Sequence, residues 1–384
     1  MESESSTGSS TAVEEQPEST PGSTSKDASN TTDSSTTTLT SDEQAEAHPG
    51  SSEPVKPPQP DDEFWFEDGN LILIAGDVEF RIYRGPLIAN SPVFKDMLSL
   101  PSPPPNKTEA ASGATVAHCI CAKNPALVHV QDSPEDLRHF LQALIPGKTP
   151  RVAPDDDSFH TISACIRLGH KYEVDYMVDR SLEYLKRCFL VCASSSYSRP
   201  SFPKPPTFED VHCIGVVNLA RWTNTDILLP PALMACCELS ATELMNGFSR
   251  EDGTREVLCR EDIGRCFVGR AKLVEASALI ALRVFDQTLS PGCARRTECK
   301  PIFLRILDEL KNNKDVVCSI RWHDSVIPYI QREDRDRYLC WPCYRMLEAR
   351  EEKEQQEVWN KLPELLGLTV ENWVEECTKQ SSKT

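Results

Sequence analysis

The sequence predicts an α+β module followed by an all-α region. Three observations carry this. Two short apolar runs within residues 71–83 are separated by Gly76-Asp77, and the second alternates in period two, the mark of a half-buried β-hairpin with a tight turn. From residue 134 to 189 apolar side chains recur at i, i+3, i+4 and i+7, the spacing of amphipathic helices. Residues 207–377 are helical in pattern too, broken by a turn-rich patch near 290–300.

The elements of the module follow in order. Leu71-Ile72-Leu73-Ile74 and then Val78, Phe80 and Ile82 are the two hairpin strands. Ser91 precedes Pro92, so its hydroxyl can cap a helix whose first position tolerates proline. Phe94, Met97 and Leu98 share one face of that helix, which Pro101 ends. Ala126-Leu127-Val128-His129-Val130 is a third strand. Ser133-Pro134-Glu135-Asp136 opens another helix, with its acids at the positive end of the helix dipole. Phe159, Ile162 and Ile166, then Val174, Met177, Leu182, Leu185 and Phe189, define a helical pair.

Composition sets the boundaries. The chain has 384 residues and a net charge of −18. Residues 1–60 lack aromatics and hold eleven acids against Lys26 and Lys56. Such a segment buries too little apolar surface to offset its ordering entropy and is expected to be a disordered tail. Proline-rich breaks mark an insertion at about 101–124 and a linker at 191–206. The expected organisation is therefore a module over 61–190, a helical domain over 207–377, and a short disordered tail over 378–384. The net negative charge disfavours nucleic-acid binding. No apolar run is long enough for a membrane helix, and no signal peptide is visible, so an intracellular protein of cytoplasm or nucleus is expected.

In the helical half, Thr207 is a candidate cap, with Glu209 and Asp210 in the first turn. Asp226 begins a second helix before Pro230-Pro231. Phe303, Ile306, Leu307 and Leu310 share a face, and Trp359, Leu362, Leu365, Leu366 and Trp373 close the chain. Sixteen cysteines are scattered through apolar runs, and most read as reduced core thiols. One set is different. Cys340-Trp341-Pro342-Cys343, with Cys293 and Cys299 upstream, offers two cysteine pairs of the kind that close a structural zinc site. The five-residue gap within the upstream pair is loose, and Cys318 or His323 are alternative ligands. Ordinary reduced thiols are the plainer reading. A thioredoxin-like redox pair would need a βαβ setting that this stretch lacks.

Read together, Asp68, Arg84 and Leu87-Ile88-Ala89-Asn90-Ser91-Pro92-Val93-Phe94 resemble the BTB/POZ family. There a hairpin carries an early acid, a basic residue follows its second strand, and a Leu-x3-Ser-Pro-x-Phe helix comes next. The wording of Phe64-Trp65-Phe66-Glu67-Asp68-Gly69-Asn70 looks most like the BTB proteins expanded in mushroom-forming fungi. The resemblance covers about a third of the chain. Tyr83 stands where the family usually has histidine, and Ile145-Pro146-Gly147 stands where it has Tyr-Thr-Gly.

The resemblance implies a BTB/POZ fold, a small sheet with a helical cluster, that acts as a homodimeric protein-binding scaffold or adaptor. It places Phe64, Trp65, Phe66, Leu87 and Phe94 at the dimer or partner face, with Asp68 and Arg84 as a charged pair beneath it. The same five apolar side chains would equally suit an ordinary core. Family members that recruit a cullin to a ubiquitin ligase often carry a hydrophobic-x-Glu triplet, and Val152-Ala153-Pro154 does not match it. The cullin adaptor is thus the alternative reading. No phosphate loop, dinucleotide fingerprint, nucleophile elbow or His-Glu-x-x-His occurs. An enzyme is not expected, and a zinc- or thiol-dependent one using Cys340 and Cys343 is the remaining alternative.

Overall fold

The computed structural model describes residues 57–99, 125–145, 158–190, 205, 207–335 and 338–381. Residues 1–56 of the expected N-terminal tail, the 101–124 insertion, nearly all of the 191–206 linker and the loop containing Val152 lie outside these. Order begins before residue 61, since Gln59 and Pro60 are already in a strand, and the expected tail over 378–384 is helical as far as Ser381. The chain from Lys56 to Thr384 forms one compact unit of mixed α and β structure.

The sheet has four strands, β1 (Gln59–Trp65), β2 (Leu71–Ala75), β3 (Val78–Ile82) and β4 (Ala126–Val130), in the order β1-β3-β2-β4. The hairpin forms as the alternation predicts: Leu71 pairs with Ile82 and Ala75 with Val78. Gly76 takes the positive φ of 56° that its tight turn requires. β4 then lies parallel to β2, Leu73 opposite Val128.

β1 was not legible as a strand. It runs parallel to β3, although Gln59-Pro60-Asp61-Asp62 is poor strand sequence. A buried carboxylate fixes it there. Asp61 accepts the backbone N–H groups of Glu63 at 3.0 Å and Phe64 at 2.8 Å. Its other oxygen takes Nε and Nη2 of Arg138, at 2.9 and 2.8 Å.

Helices α1 (Arg84–Asn90), α2 (Pro92–Ser99), α3 (Pro134–Leu144), α4 (Phe159–Lys171) and α5 (Asp175–Phe189) complete this half. Ser91 caps α2 by accepting the Phe94 N–H at 3.0 Å, and its hydroxyl donates to the Tyr172 carbonyl at 2.6 Å. Ser133 caps α3 through the Asp136 N–H. The core here combines the sheet with Leu87, Phe94, Phe140 and one face of α4 that includes Cys165 and Leu168.

The opposite face of α4 (Phe159, Ile162, Ile166) belongs to a second core, shared with the helical half. That half contains α6 (His212–Trp222), α7 (Leu229–Glu238), α8 (Ala241–Asn246), a two-residue hairpin β5 (Phe248–Ser249) and β6 (Arg255–Glu256), and α9 (Arg260–Val284). It continues with α10 (Arg296–Glu309), α11 (Lys314–Val317), α12 (Ile327–Glu333), α13 (Trp341–Asn360), α14 (Leu362–Leu365) and α15 (Trp373–Ser381). Thr207 is not the N-cap of α6, which begins only at His212 with Val211 before it, and the preceding turn is held by the Glu209 N–H donating to His212 Nδ1 at 3.0 Å. Among the described residues no helix is long and apolar enough to cross a membrane.

Candidate metal centre

The structure brings Cys293, Cys299, Cys340 and Cys343 together, although 47 positions separate Cys293 from Cys340. The loop before α10 supplies Cys293 and the first turns of α10 supply Cys299. Cys340 is the N-cap of α13, Pro342 lies in its first turn, and Cys343 follows on the same helix. All four side chains are buried, and their Sγ atoms lie within 4.8 Å of one another. Cys340 and Cys293 Sγ are 3.6 Å apart. A tetrahedral ion with sulfur at about 2.3 Å sets its ligands about 3.8 Å from one another, so the spacing suits zinc. Among the described residues this is the one group of three or more such side chains close enough to share an ion.

The surroundings divide the four thiols. The Cys340 N–H donates to Cys299 Sγ at 3.4 Å. Burial opposes ionisation of Cys340, yet the Cys343 N–H and the thiols of Cys343, Cys293 and Cys299 hold its pKa below the ordinary thiol value. Burial pushes Cys299 up to about 11 and raises Cys343 as well. Burial thus works against ionising several of these sulfurs together. A cation at the centre is what allows several thiolates at once. The Arg295 guanidinium, ion-paired with Glu298, also interacts with Cys299 and Cys340. Cys318 is exposed and His323 instead faces Glu238 at 3.5 Å, so neither alternative ligand joins the group.

A second set of thiols sits on three helices, in the core where the sequence puts most of its cysteines. Cys236 Sγ of α7 donates to Cys213 Sγ of α6 at 3.3 Å, and Cys237 Sγ donates to the Cys266 carbonyl of α9 at 3.6 Å. All are buried and free, and they fill the interior between these helices as small apolar side chains.

The residues expected at a dimer face divide. Phe64, Leu87 and Phe94 are fully buried within the single chain. Phe94 stacks on Tyr172 at 4.3 Å, so these three have no surface to offer a partner, and that expectation is corrected. Trp65 and Phe66 stay half-exposed. The Arg81 guanidinium lies 5.9 Å from the Trp65 ring, and Phe66 packs on Tyr83 at 5.1 Å. The expected Asp68–Arg84 pair is absent among the described residues. Asp68 is exposed and accepts a hydrogen bond from the Tyr83 hydroxyl, while the Arg84 N–H donates to Asn70 Oδ1 at 2.9 Å. Tyr83 thus takes the acid that was expected to hold the arginine.

Comparison with models of known protein families, with curated proteins and with solved structures finds no match.

Proposed function

We propose that this chain is a non-catalytic protein-interaction scaffold of BTB/POZ type whose helical half is fixed by a structural zinc ion. The observation that carries the proposal is the buried four-cysteine cluster. Four buried thiols fill every position of a tetrahedral ion and so suit a closed structural site, since a catalytic zinc keeps an open position. The ion would join the loop at Cys293 and helix α10 to the start of α13. The BTB/POZ part rests on the order of motifs in the sequence. It is supported by the hairpin β2–β3, the Ser91-capped helix α2, and β4 parallel to β2 with α3 to α5 behind them. In this reading Trp65 and Phe66, the aromatics left half-exposed, contribute to the face that meets a second copy or another protein.

Two measurements on the full chain test the proposal. Metal analysis of protein purified without chelator is expected to return about one zinc per chain. A metal-free, fully folded chain would remove the zinc. Light scattering across a dilution series is expected to show a dimer that Trp65→Ala weakens. A parent chain that is monomeric at every concentration would remove self-association.

A further inference from the structure

Helix α9 is apolar on two opposite faces, and the described residues cover only one of them. Cys266, Gly269, Leu273, Ile280 and Val284 are buried in the core. On the other side Phe267 is 50% exposed, Val268 58%, Leu279 41% and Leu282 58%, with Ala271 and Glu275 exposed between them. At about 100° per residue these six positions fall within an arc of about 120°. From Phe267 to Leu282 the stripe runs about 22 Å. A helix that is apolar all round is normally enclosed on every side, and a contiguous exposed stripe marks an interaction site.

We infer that this stripe is a self-association surface on which α9 pairs antiparallel with α9 of a second copy. Four positions pair off about a point between Leu273 and Val274: Val268 with Leu279, and Lys272 with Glu275. A two-fold axis there sets Val268 against the other copy's Leu279. It also sets Lys272 against the other copy's Glu275. Apolar meets apolar and cation meets anion, twice each, as an isologous contact requires. Ala271, near the middle of the stripe, lets the helices approach closely. Neither Lys272 nor Glu275 makes an ion pair among the described residues, so both charges remain for this use. The chain's own N-terminal segment is a poor occupant. In residues 1–56 the only large apolar side chains are Met1, Val13, Leu39 and Val55, too few and too scattered to fill the stripe. This surface is separate from the sheet-side aromatics and stands whether or not those mediate a dimer.

The test is light scattering on the zinc-replete full chain over a wide concentration range. The double variant Val268→Asp/Leu279→Asp is expected to halve the assembly mass. Glu275→Lys and Lys272→Glu, each alone, are expected to weaken association about tenfold, equivalent to about 1.4 kcal/mol. Combined, they are expected to restore it. Circular dichroism checks that each variant is folded, since every position changed is at the surface. An unchanged mass for Val268→Asp/Leu279→Asp overturns the inference. Failure of the double charge swap to recover what each single swap loses overturns the antiparallel pairing. Loss of association on Trp65→Ala with no response to α9 variants would assign self-association to the sheet side alone.

Discussion

Arg250, just beyond β5, places Nη2 2.7 Å from Asp136 Oδ2 across a sequence separation of 114 residues. Asp136 lies in the first turn of α3 and also receives both Nη groups of Arg167 from α4, at 2.5 and 2.7 Å. One nearly buried carboxylate therefore joins the sheet-bearing half to the helical half. Nearby, His139 Nε2 meets Glu251 Oε2 at 2.7 Å.

Removing this acid should cost more than removing either arginine. Asp136→Ala leaves two partly buried guanidinium groups without their common partner, and breaking a buried pair from one side costs about 3–5 kcal/mol. Arg250→Ala leaves Asp136 still paired with Arg167, so the expected loss is about 1–2 kcal/mol. Urea unfolding of the three proteins checks the ranking. Equal losses for Asp136→Ala and Arg250→Ala would contradict the shared role.

The halves are also pressed together at a glycine. A Cβ built on Gly215 of α6 would lie 2.1 Å from Cζ of Phe159. Phe159 is fully buried in α4, stacked on His212 at 4.6 Å and edge-on to Phe208 and Phe248, so its ring has nowhere to move. Gly215→Ala should destabilise by about 1–3 kcal/mol through overpacking, despite alanine's better helix propensity. Thermal unfolding decides the sign. A stabilised variant would mean that propensity outweighs the clash.

What was legible in the sequence follows from how local its cause is. The hairpin, the Ser91 and Ser133 caps and strand β4 depend on neighbouring residues, and each appears where the pattern put it. The four cysteines were legible because a Cys-x2-Cys pair advertises a shared ligand, though only folding shows that Cys293 and Cys299 reach it. Strand β1 depends on a distant residue. Its sequence is acidic and carries a proline, and Arg138, 77 positions later, gives Asp61 its place. The same holds for Phe64, Leu87 and Phe94, whose burial comes from α3 and α4 rather than from their own segments.

The Asp61–Arg138 link yields its own expectation. Asp61 is almost fully buried and satisfies two backbone donors as well as the arginine. Asp61→Ala should release β1 and lower stability by about 3 kcal/mol, with Phe64 losing its cover. Hydrogen exchange checks this: the Phe66 N–H, which donates to the Arg81 carbonyl at 2.9 Å, should lose protection first. Retained protection at Phe66 would show that apolar packing alone holds the strand.

A pH dependence arises at the end of α7. Burial raises the Glu238 pKa to about 7, although Arg321 at 3.8 Å opposes it; Asp324 and Asp210 raise it further. His323, 3.5 Å away, is lowered to about 4, also by burial. The contact is thus between a neutral imidazole and a carboxyl group that keeps its proton up to near pH 7. For Glu238 the folded pKa lies above the unfolded one, so its contribution is complete below about pH 4.5 and is lost as pH rises through 7. For His323 the folded pKa is depressed, so stability falls as pH drops from about 6.5 toward 4. The two slopes oppose each other between these limits, and only the Glu238 loss continues above pH 6.5. Glu238→Gln should remove that loss and be the more stable protein near pH 8. Urea midpoints near pH 5 and pH 8 check it. A parent chain as stable at pH 8 as Glu238→Gln would count against the raised Glu238 pKa.

The last expectation concerns the metal. An ion that binds the folded chain and not the unfolded one stabilises it by mass action, about 4 kcal/mol when free zinc stands a thousandfold above its dissociation constant. Chelation should therefore lower the thermal midpoint, and returning zinc should restore it. Because the four thiols must lose their protons to bind, and burial raises two of them, zinc should be released on acidification with proton uptake. Cys343→Ser, at a position with no exposed surface, leaves three sulfurs and should lose both the zinc and the response to chelator. Cys318→Ser changes an exposed thiol outside the group and should keep both. The response should also be uneven across the fold. Hydrogen exchange in α10 and in the first turns of α13 should rise when zinc leaves, whereas the β2–β3 hairpin, held by a separate core, should keep its protection. A uniform loss across both would instead mean that the ion supports the whole unit through the shared helix α4.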